Sequence, residues 1–242
     1  MSGLTPSRRI LCALDTTDQQ TAFDLAENLR DHVGGVKLGL EFFGACGPTG
    51  FDHVAQSGMP IFLDLKLHDI PNTVAKAISA LMPLNPLIMT VHTSGGAAMM
   101  TAAVKAATEA AQNVGCKRPI IVGVTILTSM DENDLQDIGL TPPTSAQVVR
   151  MARLAQASGL DGVVCSPFEI TAIRAACGPD FKLIVPGIRP IGSSSGDQKR
   201  TMTPREAIER GADYIVIGRP ITEADDPTRA AQNIARELEK LD

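Results

Sequence analysis

Four charged residues follow one another along the chain with alternating sign, and their types suit proton transfer. Asp64 and Lys66 stand two apart in the apolar segment 60–66, Lys37 lies in an earlier apolar segment, and Asp69 follows shortly after. Residues two apart on a β-strand point to the same face. Charges on the inner face of a buried sheet are costly unless they are paired, and a nearby carboxylate favours the protonated form of a lysine. The pattern therefore predicts a charged network that holds an ammonium ready to donate a proton.

Two alternative roles would account for these charges without that chemistry. A buried ion-pair network could serve only to fix the register of the strands, although apolar residues usually stabilise a core as well or better. Lys66 could instead be a Schiff-base nucleophile, but that role needs a neutral amine in apolar or cationic surroundings. Because Asp64 and Asp69 flank Lys66, the ammonium form and proton donation are favoured.

Two short motifs nearer the C-terminus suit the binding of a phosphate group. P-G-I-R-P begins at Pro186 and I-G-R-P-I begins at Ile217, each at the end of an apolar segment. Gly218 lets an anion approach the backbone closely, and Arg219 can donate two parallel hydrogen bonds to phosphate oxygens. These two residues are therefore candidate phosphate ligands.

The segment 188–200, between these motifs, is rich in glycine and serine. Such a composition predicts a loop that closes over a bound ligand and excludes water. Arg189, at its start, could bind phosphate, or it could brace the loop by pairing with Asp197 or Glu206. The sequence leaves both roles open.

The elements that must position these residues follow one repeating pattern. Short continuous apolar segments, typical of strands covered on both faces, alternate with longer amphipathic ones. Eight such repeats predict an α/β fold, a (β/α)8 TIM barrel formed as a single domain by residues 1–242. A doubly wound sheet is the alternative, but the first strand ends in L-D-T-T rather than in a glycine-rich dinucleotide turn. The predicted strands are 10–15, 35–39, 60–66, 87–92, 120–125, 162–166, 182–186 and 214–218.

Amphipathic segments between these strands predict the helices. In the last of them Thr203 is the expected N-cap, with proline at the first helical position. In a barrel of this kind the functional groups gather at the C-terminal ends of the strands, where the polar residues named above lie. The predicted helices include 18–31, 72–82, 96–113, 144–158 and 204–210.

The composition excludes several other classes of function. A net charge of -5 and an aromatic content of 3% argue against a nucleic-acid partner. No apolar stretch is long enough to span a membrane and no signal-peptide core is present, so we expect a cytoplasmic protein. The five scattered cysteines lack zinc spacing, which predicts buried reduced thiols. His68 and His92 have no further ligand at metal spacing, so no metal site is expected, and His92 is interpreted as a supporting hydrogen-bonding residue.

The segment D-L-K-L-H-D-I-P-N-T, which begins at Asp64, resembles the signature of the orotidine 5'-phosphate decarboxylase family. The resemblance extends over about residues 10–221 and includes both phosphate motifs. It implies decarboxylation of orotidine 5'-monophosphate to UMP, the last step of de novo pyrimidine synthesis, without a cofactor. By the family pattern Lys66 donates a proton to C6 of the pyrimidine, Asp64 lies beside the departing carboxylate, and Lys37 bridges Asp64 and the ribose.

The family pattern also implies a homodimer with shared active sites. In this family the second aspartate of the motif enters from the other subunit. Asp69 of one chain would therefore complete its partner's site, and Ile70 and Thr73 would cross over with it.

Further substrate contacts are implied by matching positions. Asp15 would contact the ribose, although it could instead cap the following helix, a role that Thr17 or Asp18 would fill as naturally. Thr128 would bind the amide edge of the pyrimidine, whereas Thr125 could be a buried strand-end residue or share that role. The remaining substrate-binding positions are Pro186, Arg189, Gln198, Gly218 and Arg219.

The nearest alternative keeps the fold and changes the reaction. The 3-keto-L-gulonate 6-phosphate decarboxylases are similar in their D-x-K-x-x-D motif but use Mg²⁺, with a metal-binding glutamate where Lys37 stands here. Because an ammonium cannot ligate Mg²⁺, Lys37 favours the metal-free nucleotide enzyme.

Overall fold

The computed structural model describes residues 4–190 and 202–239, in which eight parallel strands close into a barrel. Each strand pairs with the next, and the first pairs with the eighth, so the barrel prediction is confirmed over the open sheet. All eight predicted strands are present, and every boundary is correct to within two residues. The strands β1 to β8 are Ile10–Ala13, Gly35–Leu38, Ile61–Leu67, Ile88–His92, Ile120–Val124, Gly162–Val164, Lys182–Val185 and Tyr214–Ile217.

Helices surround this barrel, and the five predicted ones are all found. Asp18 caps the first by accepting from the Thr21 amide at 2.6 Å, and Thr203 caps the eighth as predicted. Within the described ranges no helix is both long and apolar enough to pass through a lipid bilayer. The helices α1 to α10 are Gln19–Leu29, Leu40–Ala55, Pro71–Leu81, Gly96–Val114, Glu132–Asp137, Thr144–Ala157, Ile170–Cys177, Pro204–Glu209, Arg219–Thr222 and Pro227–Glu239.

Alternation along the strands separates two apolar layers. On β1, Ile10 and Cys12 pack outward into the main core with the helices, while Leu11 and Ala13 belong to a smaller cluster inside the barrel. Phe62 of β3 lies in that inner cluster as well. Because successive side chains alternate in direction, Asp64 follows Phe62 on the inner face, at the C-terminal mouth.

The cysteines agree only in part with the prediction of buried thiols. Cys12, Cys165 and Cys177 are buried, whereas Cys46 and Cys116 are only partly buried. Burial, with a smaller contribution from Asp15, raises the pKa of the Cys12 thiol to about 12. Cys12 is therefore an apolar core side chain rather than a nucleophile.

A buried aspartate joins two strands at the opposite, N-terminal end of the barrel. The Asp213 side chain, 7% exposed, accepts from Arg174 Nη2 at 2.7 Å, from Lys182 Nζ at 3.2 Å and from the Leu183 amide at 3.0 Å. Its loss would leave two cations and a backbone donor without this acceptor. The Arg174 and Lys182 side chains are only 21% and 33% exposed, and removing one partner of such an ion pair is destabilising because the other charge is left uncompensated.

We therefore expect Asp213→Ala to lower the free energy of unfolding by about 3 kcal/mol. Urea denaturation at one fixed protein concentration measures the difference, and Asp180→Ala is the matched control because Asp180 is an exposed aspartate near the same end of β7. The control should stay within about 0.5 kcal/mol of wild type. A single neutral hydrogen bond contributes about 1 kcal/mol to stability. If Asp213→Ala lowers the free energy of unfolding by less than that, the ion pairs of Asp213 do not stabilise the fold in the way proposed.

Candidate active site

Four charged side chains meet at the C-terminal ends of β1, β2 and β3, and we call them the charged cluster: Asp15, Lys37, Asp64 and Lys66. Lys66 Nζ lies 2.7 Å from Asp64 Oδ2, and Lys37 Nζ lies 3.9 Å from the same oxygen. Lys37 Nζ is also 3.3 Å from Asp15 Oδ1. Asp64 is only 8% exposed, so the two ammonium groups offset the cost of burying its charge. The sequence prediction that these lysines and Asp64 lie together is confirmed.

The backbone at Lys66 departs from the regular strand that the sequence suggested. Lys66 has φ 51°, in the left-handed region, and the pairing of β3 with β4 shifts between Leu63 and Leu67. A non-glycine residue in that region costs on the order of 1–3 kcal/mol and persists only where its surroundings hold it. The Lys66 side chain still reaches Asp64, so the predicted neighbours are right although the local geometry is not that of an ideal strand.

Thr90, on β4, contacts both parts of this unusual segment. Its hydroxyl donates to Asp64 Oδ1 at 3.0 Å and accepts from the Lys66 amide at 2.8 Å. Thr90 is not among the residues predicted from the sequence. A signal was present, because Thr90 is the one polar residue that precedes His92 in the apolar segment 87–92.

His92 lies near the cluster but makes a different contact from the one expected. Within the described part of the chain its ring forms no hydrogen bond and packs instead beside His68, with ring centroids 5.3 Å apart. Burial lowers the pKa of His92, and the nearby His68 and Lys66 lower it further. The described residues therefore show His92 in a ring contact with His68 and not in the hydrogen bond that the sequence suggested.

A cavity of about 180 Å³ opens beside the charged cluster. Thr128 and Pro186 line it together with Lys37, Asp64 and Lys66, so five of the predicted site residues share one space. Its remaining walls are mostly apolar, which strengthens electrostatic interactions inside it. The apolar wall residues include Phe62, Val124, Ile126, Leu127, Val164 and Val216.

Size alone does not locate the site. A larger cavity of about 430 Å³ lies at the N-terminal ends of β3 and β4, where Pro60, Leu87 and Arg118 form part of its wall. None of the predicted site residues lines it. The chemistry of the lining residues therefore distinguishes the two cavities, and it selects the smaller one.

Two alternatives left open by the sequence are resolved by hydrogen bonds. The Thr125 hydroxyl donates to the Val164 carbonyl at 2.9 Å, so Thr125 is a buried strand-end residue, whereas Thr128 lines the cavity. Asp18 caps α1, while Asp15 pairs with Lys37. Asp15 is thus available at the mouth of the barrel rather than used as a cap.

The predicted phosphate ligands lie along the ends of β7 and β8. Gly218 lies beside Asp15, since a Cβ added there would be 3.8 Å from Asp15 Oδ2, and the exposed Arg219 begins α9. The Arg189 guanidinium donates to the Ile188 carbonyl at 2.9 Å. Gln198 and Asp197 lie outside the described residues. The predicted substrate contact of Gln198 and the possible pairing of Arg189 with Asp197 therefore stay predictions.

Glu206, the other bracing partner suggested for Arg189, has a local role. Its carboxylate accepts from the amide and the hydroxyl of Thr203, at 3.1 and 2.8 Å, in the capping box of α8. These bonds, with a smaller contribution from Arg210, lower the pKa of Glu206. The Glu206 carboxylate therefore stabilises the N-terminus of α8.

Asp69 is separate from the charged cluster of its own chain. It is exposed, its carboxylate accepts from the Ile70 amide at 2.6 Å, and it forms no ion pair with any residue that the structure describes. Ile70 is 65% exposed, and the neighbouring Thr73, in the first turn of α3, is exposed too. The structure therefore brings together three of the four residues predicted as catalytic and leaves the fourth at the surface.

Comparisons with known proteins agree on one family. The family model described as orotidine 5'-phosphate decarboxylase / HUMPS matches residues 8–234. The orotidine 5'-phosphate decarboxylase of Paramagnetospirillum magneticum is 55% identical over 229 residues, which cover 95% of this chain and 97% of the relative. That of Rhodospirillum rubrum is 51% identical over 230 residues, covering 95% and 93%. The crystal structure of the Lactobacillus acidophilus enzyme superposes with a TM-score of 0.85 at 37% identity and covers 96% of this chain and 99% of that one.

Proposed function

The chain belongs to the orotidine 5'-phosphate decarboxylase / HUMPS family, and we propose that it removes CO2 from orotidine 5'-monophosphate with Lys66 as the proton donor. Its relatives identify it as a carboxy-lyase of pyrimidine biosynthesis. The observation that carries the proposal for Lys66 is its 2.7 Å contact with the buried Asp64 at the wall of an apolar cavity. That contact keeps a positive charge where the reaction develops a negative one.

The proposed step needs only one proton donor. When the C6–carboxylate bond breaks, CO2 leaves and the electron pair of that bond stays on C6 as a vinyl carbanion. The Lys66 ammonium stabilises this charge and donates its proton to C6, and solvent reprotonates the resulting amine. Preorganised charges in a site from which water is excluded often contribute more to catalysis than any other single effect.

Lys37 and Asp64 support this arrangement in the proposal. Asp64 holds the Lys66 ammonium through Oδ2 and would face the departing carboxylate. Lys37 lies between Asp64 and Asp15, so it can join the reacting end of the site to the ribose, which Asp15 would contact at the mouth. A lysine in this place also disfavours a Mg²⁺ mechanism, because an ammonium has no lone pair for a metal.

The base and the phosphate are assigned to the other loops. Thr128 and Pro186 both line the cavity. Thr128 is proposed to contact the pyrimidine, and Pro186 is proposed to cover part of the pocket for the substrate carboxylate. Gly218 and Arg219 are proposed phosphate ligands, since the first turn after β8 offers a close backbone approach and a guanidinium. Arg189 and Gln198 remain predicted ligands from the adjacent loop.

We further propose that the whole chain is one catalytic domain that works as a homodimer with shared sites. Asp69, Ile70 and Thr73 would enter the partner's site. The support is that Asp69 has no ion pair in its own described chain and that Ile70 exposes a large apolar side chain beside it. A cytoplasmic location stays a prediction.

The experiment that tests the proposed reaction follows ultraviolet absorbance after orotidine 5'-monophosphate is added to the protein in excess EDTA. We expect the substrate absorbance to fall rapidly in EDTA. The rate should not change when Mg²⁺ is added in excess of the EDTA, because no step in the proposal uses a metal. The alternative, a Mg²⁺-dependent 3-keto-L-gulonate 6-phosphate decarboxylase, predicts no turnover of the nucleotide and turnover of the keto-sugar phosphate only with Mg²⁺. That second result would overturn the proposal.

A further inference from the structure

We propose that Thr90 is a positioning residue for the decarboxylation, holding Asp64 and the Lys66 backbone in the geometry that proton donation requires. This inference rests on the proposed function of Lys66. Thr90 itself lies on β4, is 1% exposed and is not among the residues that line the cavity. It would therefore act through its two neighbours rather than through the substrate.

The chemistry of the two contacts determines which group donates. The Lys66 amide has only a proton to offer, so Thr90 Oγ1 must accept it at 2.8 Å. The hydroxyl then has its single proton left, and the ionised Asp64 carboxylate can only accept, at 3.0 Å. One hydroxyl thus links the backbone of the proton donor to the carboxylate that pairs with its side chain.

This link divides the two oxygens of Asp64 between two tasks. Oδ1 accepts from Thr90, while Oδ2 faces both ammonium groups, with Lys66 Nζ at 2.7 Å and Lys37 Nζ at 3.9 Å. A carboxylate held at one oxygen by a buried strand residue has little freedom to rotate. The direction in which Asp64 presents Oδ2 to Lys66 therefore depends on the hydroxyl.

The same hydroxyl supports the left-handed backbone at Lys66. Pairing between β3 and β4 is interrupted from Leu63 to Leu67, so the Lys66 amide takes a side-chain acceptor in this stretch. Without that acceptor the part-buried Lys66 amide would lose its hydrogen-bond partner, which is costly wherever water cannot replace it. The conformation at Lys66, with φ 51°, would then have less to hold it in place.

The decisive test replaces the hydroxyl while keeping the shape. We expect Thr90→Val to lower kcat by about 10–100-fold, as much as the loss of a hydrogen bond that orients a metal ligand, with KM within about 3-fold because no substrate contact is lost. Thr90→Ser keeps the hydroxyl and should retain kcat within about 3-fold of wild type on the same reasoning. Thr93→Val is the matched control, since Thr93 is another buried threonine just beyond β4 whose hydroxyl donates elsewhere, to the Val124 carbonyl at 2.8 Å.

A second readout follows the proton itself. By microscopic reversibility, the group that protonates C6 also removes the C6 proton of UMP, so exchange of that proton in D2O should slow in Thr90→Val by a factor similar to the loss in kcat. Wild-type kcat in Thr90→Val would overturn the inference. So would an equal loss in Thr90→Val and Thr90→Ser, or a rise in KM alone.

Folding and the proposed function are controlled separately. If Thr90→Val does not fold, Thr90→Ala, which relieves any steric conflict, is judged by the same kcat, KM and exchange criteria, with UMP binding as the check on the site. If wild type itself fails to decarboxylate orotidine 5'-monophosphate, the proposed function is wrong. If wild type turns over and Thr90→Val matches it, only the role of Thr90 is wrong.

Discussion

Lys66→Ala is expected to lower kcat/KM for orotidine 5'-monophosphate by at least about 10⁴-fold. Two effects are lost together, because the same ammonium would stabilise the carbanion and supply its proton. General acid catalysis typically contributes about 10²–10⁴-fold, and a preorganised charge at the reacting atom about 10²–10³-fold. Because one side chain supplies both effects, Lys66→Ala removes them together. The lower limits of the two ranges multiply to about 10⁴-fold, which is the expected loss.

The Lys66→Ala variant should remain folded, so a lower rate reports lost catalysis and not unfolding. Asp64 would still face Lys37 and would keep its hydrogen bond from Thr90, so removal of Lys66 does not leave a buried charge without partners. Lys105→Ala is the matched control, because Lys105 lies on α4 with its side chain 74% exposed and pairs with Glu109. Initial rates by ultraviolet absorbance and thermal unfolding are measured for all three proteins. A folded Lys66→Ala enzyme within about 10-fold of wild type would contradict the assignment, since a general acid typically contributes more than that.

The barrel could be predicted from the sequence because its strands are marked by local composition. Strands covered on both faces appear as continuous apolar segments, and each of the eight was long enough to recognise. The α2 helix was harder, because Gly47 interrupts it with φ 58° and Pro48 follows. Such residues usually predict a helix end, and α2 is indeed kinked at Gly47, with a further helical segment continuing beyond the kink to Ala55.

The candidate site could be predicted only where the alternation of side chains along a strand fixes the face to which each side chain points. Asp64 and Lys66 were placed together by that rule, and Lys37 by its position on the neighbouring strand. The rule says nothing of a left-handed residue, so the backbone at Lys66 and the role of Thr90 were not predicted. Both depend on the pairing between β3 and β4, which is a property of the folded barrel rather than of either segment.

Asp69 shows a different limit, because its proposed role lies in another chain. Its spacing from Lys66 suggested a fourth member of one network, yet in its own chain the carboxylate accepts from the Ile70 amide and lies at the surface. Only the family resemblance supplied the expectation that it crosses to a partner. A single chain cannot test that expectation, but a mixture of two variants can.

Mixing two inactive variants, Lys66→Ala and Asp69→Ala, is expected to restore activity. In a symmetric dimer each site would use Lys66 of one chain and Asp69 of the other. A mixed dimer then has one site with both residues intact and one site with both removed. After equal chains are exchanged at random, half of the dimers are mixed, so about a quarter of all sites should regain wild-type activity.

The same arithmetic separates shared sites from self-contained ones. If Asp69 served the site of its own chain, every site in a mixed dimer would lack one of the two residues and no activity would return. The two variants are therefore mixed, partly unfolded in urea, refolded together and assayed against each parent treated alone. Lys66→Ala mixed with the double variant Lys66→Ala/Asp69→Ala is the control, because no pairing of those chains contains Lys66. Recovery near a quarter, absent from this control, requires that Asp69 act across the interface, whereas a mixture no more active than its parents would place it elsewhere.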